Sequence, residues 1–363
     1  MRELTCQDLE NLIPGILLYG GGGGGSGKIG ESWVHQIQAQ SCPAKMVSID
    51  EVEDDAGVVM IFIMANPSTS TSLPGDLAIR SFEAVRAYLA PKLDLRYVLA
   101  VEIGCAIGPT PLFLSAALAS QGILAVDGDA TGRTAPVAGA TTFGDLPASP
   151  TVLTSATQFH YYCEGDLSAG DFESMLQGVI GPPFNSLAGI AVWPVTGSEM
   201  KRRALPGTIG KAIQLGELVR AKRPPEEIAA SMNGDVLFQG RLQCCVPFAS
   251  PTPGAITIVT GGETLTIYNN FENLIAWHNN KSQPAIMVPD IIALFNLETG
   301  LPFSTAPMDV PPTGTQVAVI GAPAPQALMN PGSLAAFAGV VRSSVHYGGP
   351  FVSPFRKEHT PTT

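Results

Sequence analysis

Glu102, Asp127, Asp129 and Arg133 fall within one stretch, residues 97–143, that reads YVLAVEIGCAIGPTPLFLSAALASQGILAVDGDATGRTAPVAGATTF. An apolar run, Tyr97 to Val101, stops at Glu102. A helix-like segment from about Pro111 to Ser120 follows, and a second apolar run, Ile123 to Val126, stops at Asp127-Gly128-Asp129. This is strand, helix, strand, with acids where each strand ends, and open parallel sheets hold their ligands outside the carboxyl ends of the strands. Asp127 and Asp129, two apart, share a face of a continuing strand or converge within a turn. Together with Glu102 they are candidate ligands for a divalent metal that activates water. Alternatively one of them is a general base whose pKa an acidic neighbour raises. The plain structural alternative is that Asp127 caps a turn and Asp129 pairs with Arg133.

A second stretch that could contact a ligand is Gly20 to Gly25, followed by Ser26-Gly27-Lys28. Ile16 to Tyr19 before it reads as a short strand, and Gly30 to Gln40 after it as a helix. Strand, glycine loop and helix make a phosphate-binding plan, and Gly22 to Lys28 satisfies G-x-x-x-x-G-K. Ile29, however, stands where a P-loop needs Ser or Thr for magnesium. The glycines, Gly22, Gly23, Gly24 and Gly25 above all, either cradle an anionic or carbonyl group of a substrate on backbone amides or form a tight turn that lets two backbones approach.

Thr141 and Thr142 offer hydroxyls, and Thr196 and Ser198 lead into Lys201 and Arg202, positive charges suited to an anionic substrate. Ser198 and Lys201 also have the spacing of a Ser-x-x-Lys pair, a weak match on its own. His35, His160, His278 and His346 are dispersed, so spacing supports no histidine metal site. Cys105, at a strand end, reads as a nucleophile or, more simply, as a small buried hydrophobe. The six cysteines form no C-x-x-C pair, which suits a reducing cytoplasm.

The elements that must position these residues alternate between strand and helix. Thr5 to Asp8 reads as the cap of a helix carrying Leu9, Leu12 and Ile13. Met46–Ile49 and Val58–Ala65 read as strands, Ser68–Ser72 as a polar loop, and Ala78–Leu89 as a helix. Thr151–Leu153 and Leu187–Trp193 are further strands around a helix at Asp171–Ile180, and Ile209–Arg220 is another helix. The pattern predicts an α/β fold with a mainly parallel sheet flanked by helices. From Gly234 the texture turns to short β segments with a Gly261-Gly262 hairpin signal. The predicted organisation is an α/β domain over 1–232, a β-rich domain over 233–316, and a segment 317–363 that returns to the α/β domain. With 363 residues, 45% hydrophobic and only 14% charged, the chain has ample material for a core. Its net charge of −11 opposes general nucleic-acid binding. No apolar run reaches the length of a membrane span, and the N-terminus lacks a signal-like apolar region. The expected partner is a small molecule, with a homodimer as the default assembly.

Five stretches together resemble a known family. They are LLYGGGGGG (Leu17 to Gly25), VEIG (Val101 to Gly104), VDGDATGR…TTF (Val126 to Phe143), TGSEMKRRALPGT (Thr196 to Thr208) and GAPAP (Gly321 to Pro325). In this order, across nearly the whole chain, they resemble the S-methyl thiohydantoin desulfurase-like family. The resemblance implies hydrolysis of an S-methyl thiohydantoin, or of a related small cyclic amide or amidine, and a link to hydantoinase- and oxoprolinase-type enzymes. Ser26-Gly27 departs from the Asp-Pro usual in that family, which bears on the substrate more than on the fold. A nucleotide-dependent enzyme using the glycine loop, and a non-catalytic accessory protein of a hydantoinase-type system, are the competing readings.

Overall fold

The computed structural model describes residues 1–66, 70–157, 159–250 and 252–356, so the loop expected over Ser68–Ser72 lies partly outside the described residues. The first half of the chain runs β1 (Arg2–Glu3), α1 (Cys6–Tyr19), α2 (Gly27–Gln38), β2 (Lys45–Ser48), β3 (Gly57–Ala65), α3 (Gly75–Leu89), β4 (Leu95–Ala100), α4 (Thr110–Ala117) and β5 (Leu124–Asp129). It continues through β6 (Thr151–Ser155), β7 (His160–Cys163), α5 (Ala169–Gln177), β8 (Leu187–Thr196), α6 (Gly197–Arg203), β9 (Leu205–Pro206), α7 (Thr208–Arg220) and α8 (Pro225–Ser231). These strands form one mixed sheet in the order β1-β2-β5-β4-β3-β8-β6-β7, with β9 paired to β5. Its centre, β2-β5-β4-β3, is parallel, while β8, β6 and β7 extend it antiparallel. The expected α/β class and parallel core are therefore present. Strand β7 was not expected: it is largely exposed and lacks the apolar alternation that marks a strand in sequence.

The second half holds β10 (Asp235–Val246), β11 (Gly254–Thr260), β12 (Glu263–Asn270), β13 (Glu272–His278), β14 (Ile286–Met287), β15 (Ile291–Asn296), β16 (Leu301–Phe303), β17 (Gln316–Ala322) and α9 (Pro331–Val345). All eight strands form one antiparallel sheet, β14-β13-β12-β11-β10-β17-β15-β16. The return expected from residue 317 is not made by its strand: β17 lies inside this second sheet, between β10 and β15. Helix α9 packs Phe337, Val340 and Val341 against Leu274, Ile275 and Val288 of the second domain, reaching the first domain at Ala140.

The local reasons for helix α1 are clear. Thr5 and Asp8 form a reciprocal capping box, and Leu9, Leu12, Ile13 and Ile16 recur at helical spacing on its buried face. Ile16 to Tyr19, expected as a strand, is the last turn of this helix, stopped by Gly20. A four-residue apolar run before glycines looks alike in either state. Helices α1 and α7 meet backbone to backbone. A Cβ at Gly216 would stand 1.6 Å from the Asn11 carbonyl oxygen, and one at Gly15 would stand 1.8 Å from that of Ala212. The pair joins the two domains: Leu12 and Ile213 belong to the core of the first sheet, whereas Leu18, Leu215 and Val219 pack on Ile291, Phe295 and Ile320 of the second.

Candidate functional site

Strand β5 runs on to Asp129, so both aspartates belong to the strand. Helix α7 begins after Gly207, a left-handed residue with no side chain to cap it, and Asp127 fills that role. Its Oδ1 accepts the Gly210 amide at 2.9 Å. Burial raises the Asp127 pKa, and the amides of Gly210 and Ile209 oppose the rise. Asp129 is fully buried and holds the next turn shut. Its oxygens accept the Gly132 amide at 2.8 and 2.9 Å, the Thr131 amide at 3.2 Å and the Thr131 hydroxyl at 3.0 Å. Desolvation still pushes its pKa up to about 7. Thr208 stands near enough to draw that pKa down, though its hydroxyl is outside hydrogen-bonding geometry with any partner among the described residues.

The turn delivers Arg133 into the seam between the domains. Arg133 has no exposed surface. Its Nε donates to the Thr134 carbonyl at 2.8 Å, and Nη1 donates to those of Pro289 and Asp290 at 2.5 and 2.7 Å. Its guanidinium carbon sits 5.3 Å from the centroid of the Phe337 ring, while Nη2 is buried without a partner among the described residues. The pairing of Asp129 with Arg133, weighed as a structural reading of the sequence, is not made: Asp129 is held by Thr131 and Gly132, and Arg133 by carbonyls. Desolvation lowers the Arg133 pKa to about 10, against the pull of Glu272, Asp290 and Glu102.

The charges of two glutamates act on this arginine. Glu102, 6% exposed, accepts the Ala135 amide at 2.7 Å. Burial, and then the charge of Glu272, push its pKa up to about 8. Glu272, 7% exposed, opens strand β13 in the second domain, and burial pushes it up to about 7. The sequence reading missed Glu272, because it lies in the polar run Asn269-Asn270-Phe271-Glu272-Asn273, which resembles any turn between strands. Phe271, at φ +62°, is the mark of an enforced turn, and that is visible only in the fold.

The glycine run sits between these groups. Gly21, Gly22, Gly24 and Gly25 all have positive φ. A Cβ at Gly23 would lie 2.5 Å from Glu272 Cγ, one at Gly22 2.5 Å from Asn273 Nδ2, and one at Gly24 2.5 Å from Gly104 Cα. The loop's carbonyls are engaged on both sides. Gly21 accepts from the Asn273 amide (2.9 Å), Gly22 from the Thr305 amide (2.9 Å), Gly24 from the Ala106 amide (2.8 Å) and Gly20 from the Thr134 hydroxyl (2.5 Å). Close backbone approach is thus what these glycines permit. The phosphate-binding plan is not realised. A helix, not a strand, precedes the loop, Lys28 is exposed, and the first amide of α2, that of Gly27, is taken by the Asp309 carboxylate at 2.7 Å.

The other sequence candidates are spread wider. Among the described residues no three His, Cys, Asp or Glu side chains stand close enough to share a metal ion, so Glu102, Asp127 and Asp129 do not form the expected metal trio. Asp127 is turned to the α7 amides and Asp129 to its own turn. Thr196 caps α6, accepting the Glu199 amide at 3.3 Å, and its hydroxyl lies 3.1 Å from that of Ser198. Lys201 donates to Asp54 at 2.7 Å, so the Ser-x-x-Lys pairing is not made. Thr141, Thr142 and Arg202 share a cleft of about 790 Å³ with Arg203, Asp145 and Asn330. Cys105 is 1% exposed and its thiol is pushed up by burial, the small-hydrophobe role. A second cleft, of about 660 Å³, opens between the domains. Ile103, Gly132 and Ile291 in its wall are chain neighbours of Glu102, Arg133 and Asp290, and Thr208 and Lys211 are on its α7 side.

Comparison with known proteins adds to this geometry. Residues 7–163 match the family model described as S-Me-THD-like, N-terminal domain, and residues 170–344 match S-Me-THD-like, C-terminal domain. A crystal structure of a protein from Chromobacterium violaceum superposes with a TM-score of 0.85 at 23% identity, covering 97% of this chain and 99% of that one. At that identity the likeness speaks for the fold. No curated protein matches the chain. Among the described residues no helix is long and apolar enough to cross a membrane.

Proposed function

Because the chain belongs to the S-Me-THD-like family, we propose that it is a hydrolase of a small cyclic amide- or thiohydantoin-like compound. The reaction centre in this reading is Glu102, Asp129 and Arg133, beside the interdomain cleft. Hydrolysis at such a ring needs water to attack a carbon bonded to nitrogen and to a second heteroatom, a base to take the proton of the water, and donors for the charge that develops. The observation that carries the reading is Glu102. It is a carboxyl at 6% exposure, pushed up to about 8, within reach of the charge of a buried arginine whose Nη2 has no partner among the described residues. Groups that titrate near the working pH exchange protons efficiently, and such perturbed groups gather at active sites. The neighbouring cleft of about 660 Å³ falls within the range of small-molecule sites.

Arg133 positions rather than reacts. Two backbone carbonyls and the Phe337 face fix its plane, leaving Nη2 to donate to the water that attacks. The test is incubation of the purified protein with an S-methyl thiohydantoin, a hydantoin and a five-membered lactam, with products followed by mass spectrometry and thiol release by a colorimetric reagent. The expected result is a ring-opened product heavier by one water, or a ring in which a carbonyl oxygen has replaced the methylthio group and methanethiol is released. Folded protein that converts none of the three would end this reading.

A further inference from the structure

Glu272 is a group that neither the sequence motifs nor the resemblance picks out. It enters from the second domain against Gly23, while Glu102 lies against Gly104, which packs on the adjoining Gly24, and the Glu272 charge reaches Glu102 and Arg133 of the first domain. Two buried side-chain atoms at this turn have no hydrogen-bond partner among the described residues, the donor Arg133 Nη2 and the acceptor Asn273 Oδ1. Gly21 adjoins the first, its Cβ position 3.6 Å from Nη2, and Gly22 adjoins the second, its Cβ position 3.0 Å from Oδ1. A buried donor and acceptor left open at one turn are what a small hydrogen-bonding molecule completes. We propose that Glu272 is the second carboxyl of an acid–base pair with Glu102, and that the attacking water is held at this turn by Arg133 and Asn273. The assignment rests on the hydrolase reading above and deepens it.

The steps balance without another reagent. The pair shares one proton at the start, with Glu272 ionised and Glu102 protonated. Water oxygen bonds to the ring carbon as its proton passes to Glu272, while Glu102 gives its proton to the ring nitrogen of the carbon–nitrogen double bond. In the collapse Glu102 takes the hydroxyl proton as the new carbonyl forms. The bond to the leaving heteroatom breaks, and Glu272 returns its proton to that atom. Both carboxyls end as they began, and the net change is addition of one water and loss of one protonated leaving group. The charged groups facing the pair are Arg133 from the turn after β5, Asp129 behind it, and Glu173 from α5, whose charge raises Glu272.

The experiment pairs turnover with infrared titration of the buried carboxyls in wild type, Glu272→Gln and Glu102→Gln. The expected kcat of Glu272→Gln is lower by ~10²–10⁴-fold with the rising limb of the pH profile lost. The carboxylic C=O band of Glu102 should titrate at lower pH once the Glu272 charge is gone. If Glu272→Gln fails to fold, the Glu272 band in Glu102→Gln reads the same coupling from the other side. Active wild type together with a fully active Glu272→Gln overturns the assignment alone. Bands that do not move in either variant overturn the pair whatever the turnover. Wild type inactive on every ring tested, with the bands coupled, overturns the hydrolase reading and the catalytic role of Glu272 with it.

Discussion

Replacing Glu102 with Gln should make the protein more stable at alkaline pH while removing its chemistry. The carboxyl is pushed from 4.5 to about 8, with burial as the largest cause. Between those values the folded state binds a proton that the unfolded chain has released, so stability falls as pH rises through the window. At 1.36 kcal/mol per unit, the ionised carboxylate costs on the order of 5 kcal/mol above pH 8, a ceiling that relaxation and entering water reduce. Total stabilities are ~5–15 kcal/mol, so even half of that is large. Gln keeps the shape and the acceptor for the Ala135 amide but never ionises. Urea midpoints at pH 5, 7 and 9 read the difference directly. The two proteins should be nearly equal at pH 5, where both carry a neutral side chain, and the variant should gain several kcal/mol at pH 9. A difference that is the same at all three pH values, or a variant weaker at pH 9, would refute the claim that this carboxyl is buried against its charge.

The remaining predictions separate frame from site. Gly216→Ala places a methyl 1.6 Å from the Asn11 carbonyl oxygen, so α1 and α7 must part at a cost of ~1–3 kcal/mol or more. A calorimetric scan should show Tm several degrees lower. Gly178→Ala, whose Cβ would meet nothing within 4 Å among the described residues and whose φ is −66°, should be neutral or slightly stabilising. Asp127→Asn, still able to cap α7, should lose at most ~1 kcal/mol, and Lys201→Ala, whose ion pair is 28% and 75% exposed, should lose ~0–1 kcal/mol. Both should keep turnover within a few-fold, and a large loss of kcat in either would return that residue to the mechanism.

What the sequence shows depends on how local the cause is. The Thr5 capping box, the hairpin at Gly261-Gly262 and the acids closing β4 and β5 are written within a few residues, and the structure has all three. Helix α8 opens at Pro225, a residue that interrupts helix interiors but suits a first turn, so its local pattern does not announce it. β17 looked like a return to the first domain because strand and then helix is the texture of an α/β unit. Its neighbours β10 and β15 decide otherwise, and they are distant in sequence. The roles of the acids were harder. Nothing in Asp127-Gly128-Asp129 says that the first will cap a helix eighty residues on and the second will close its own turn. Those assignments follow from where Gly207 leaves α7 uncapped and where Gly132, at φ +65°, bends the chain back.

The glycine run explains why a site of this kind needs both domains. Each of its residues that a side chain would spoil touches a different neighbour: Gly22 meets Asn273, Gly23 meets Glu272, and Gly24 meets Gly104 beside Glu102. The turn is a spacer thin enough to bring a carboxyl of the second sheet towards one of the first. Arg133 crosses the same seam, held by the carbonyls of Pro289 and Asp290. Closing the seam over the two glutamates and the arginine makes the ionised carboxylates costly, which is why burial raises both carboxyl pKa values. The two matched family regions meet near residue 163–170, yet β8 and α7, which follow that boundary, pack in the first sheet and its core. The C-terminal region therefore supplies part of the first domain's frame as well as Glu272. The carboxyl pair, and any chemistry it performs, is a property of the whole chain.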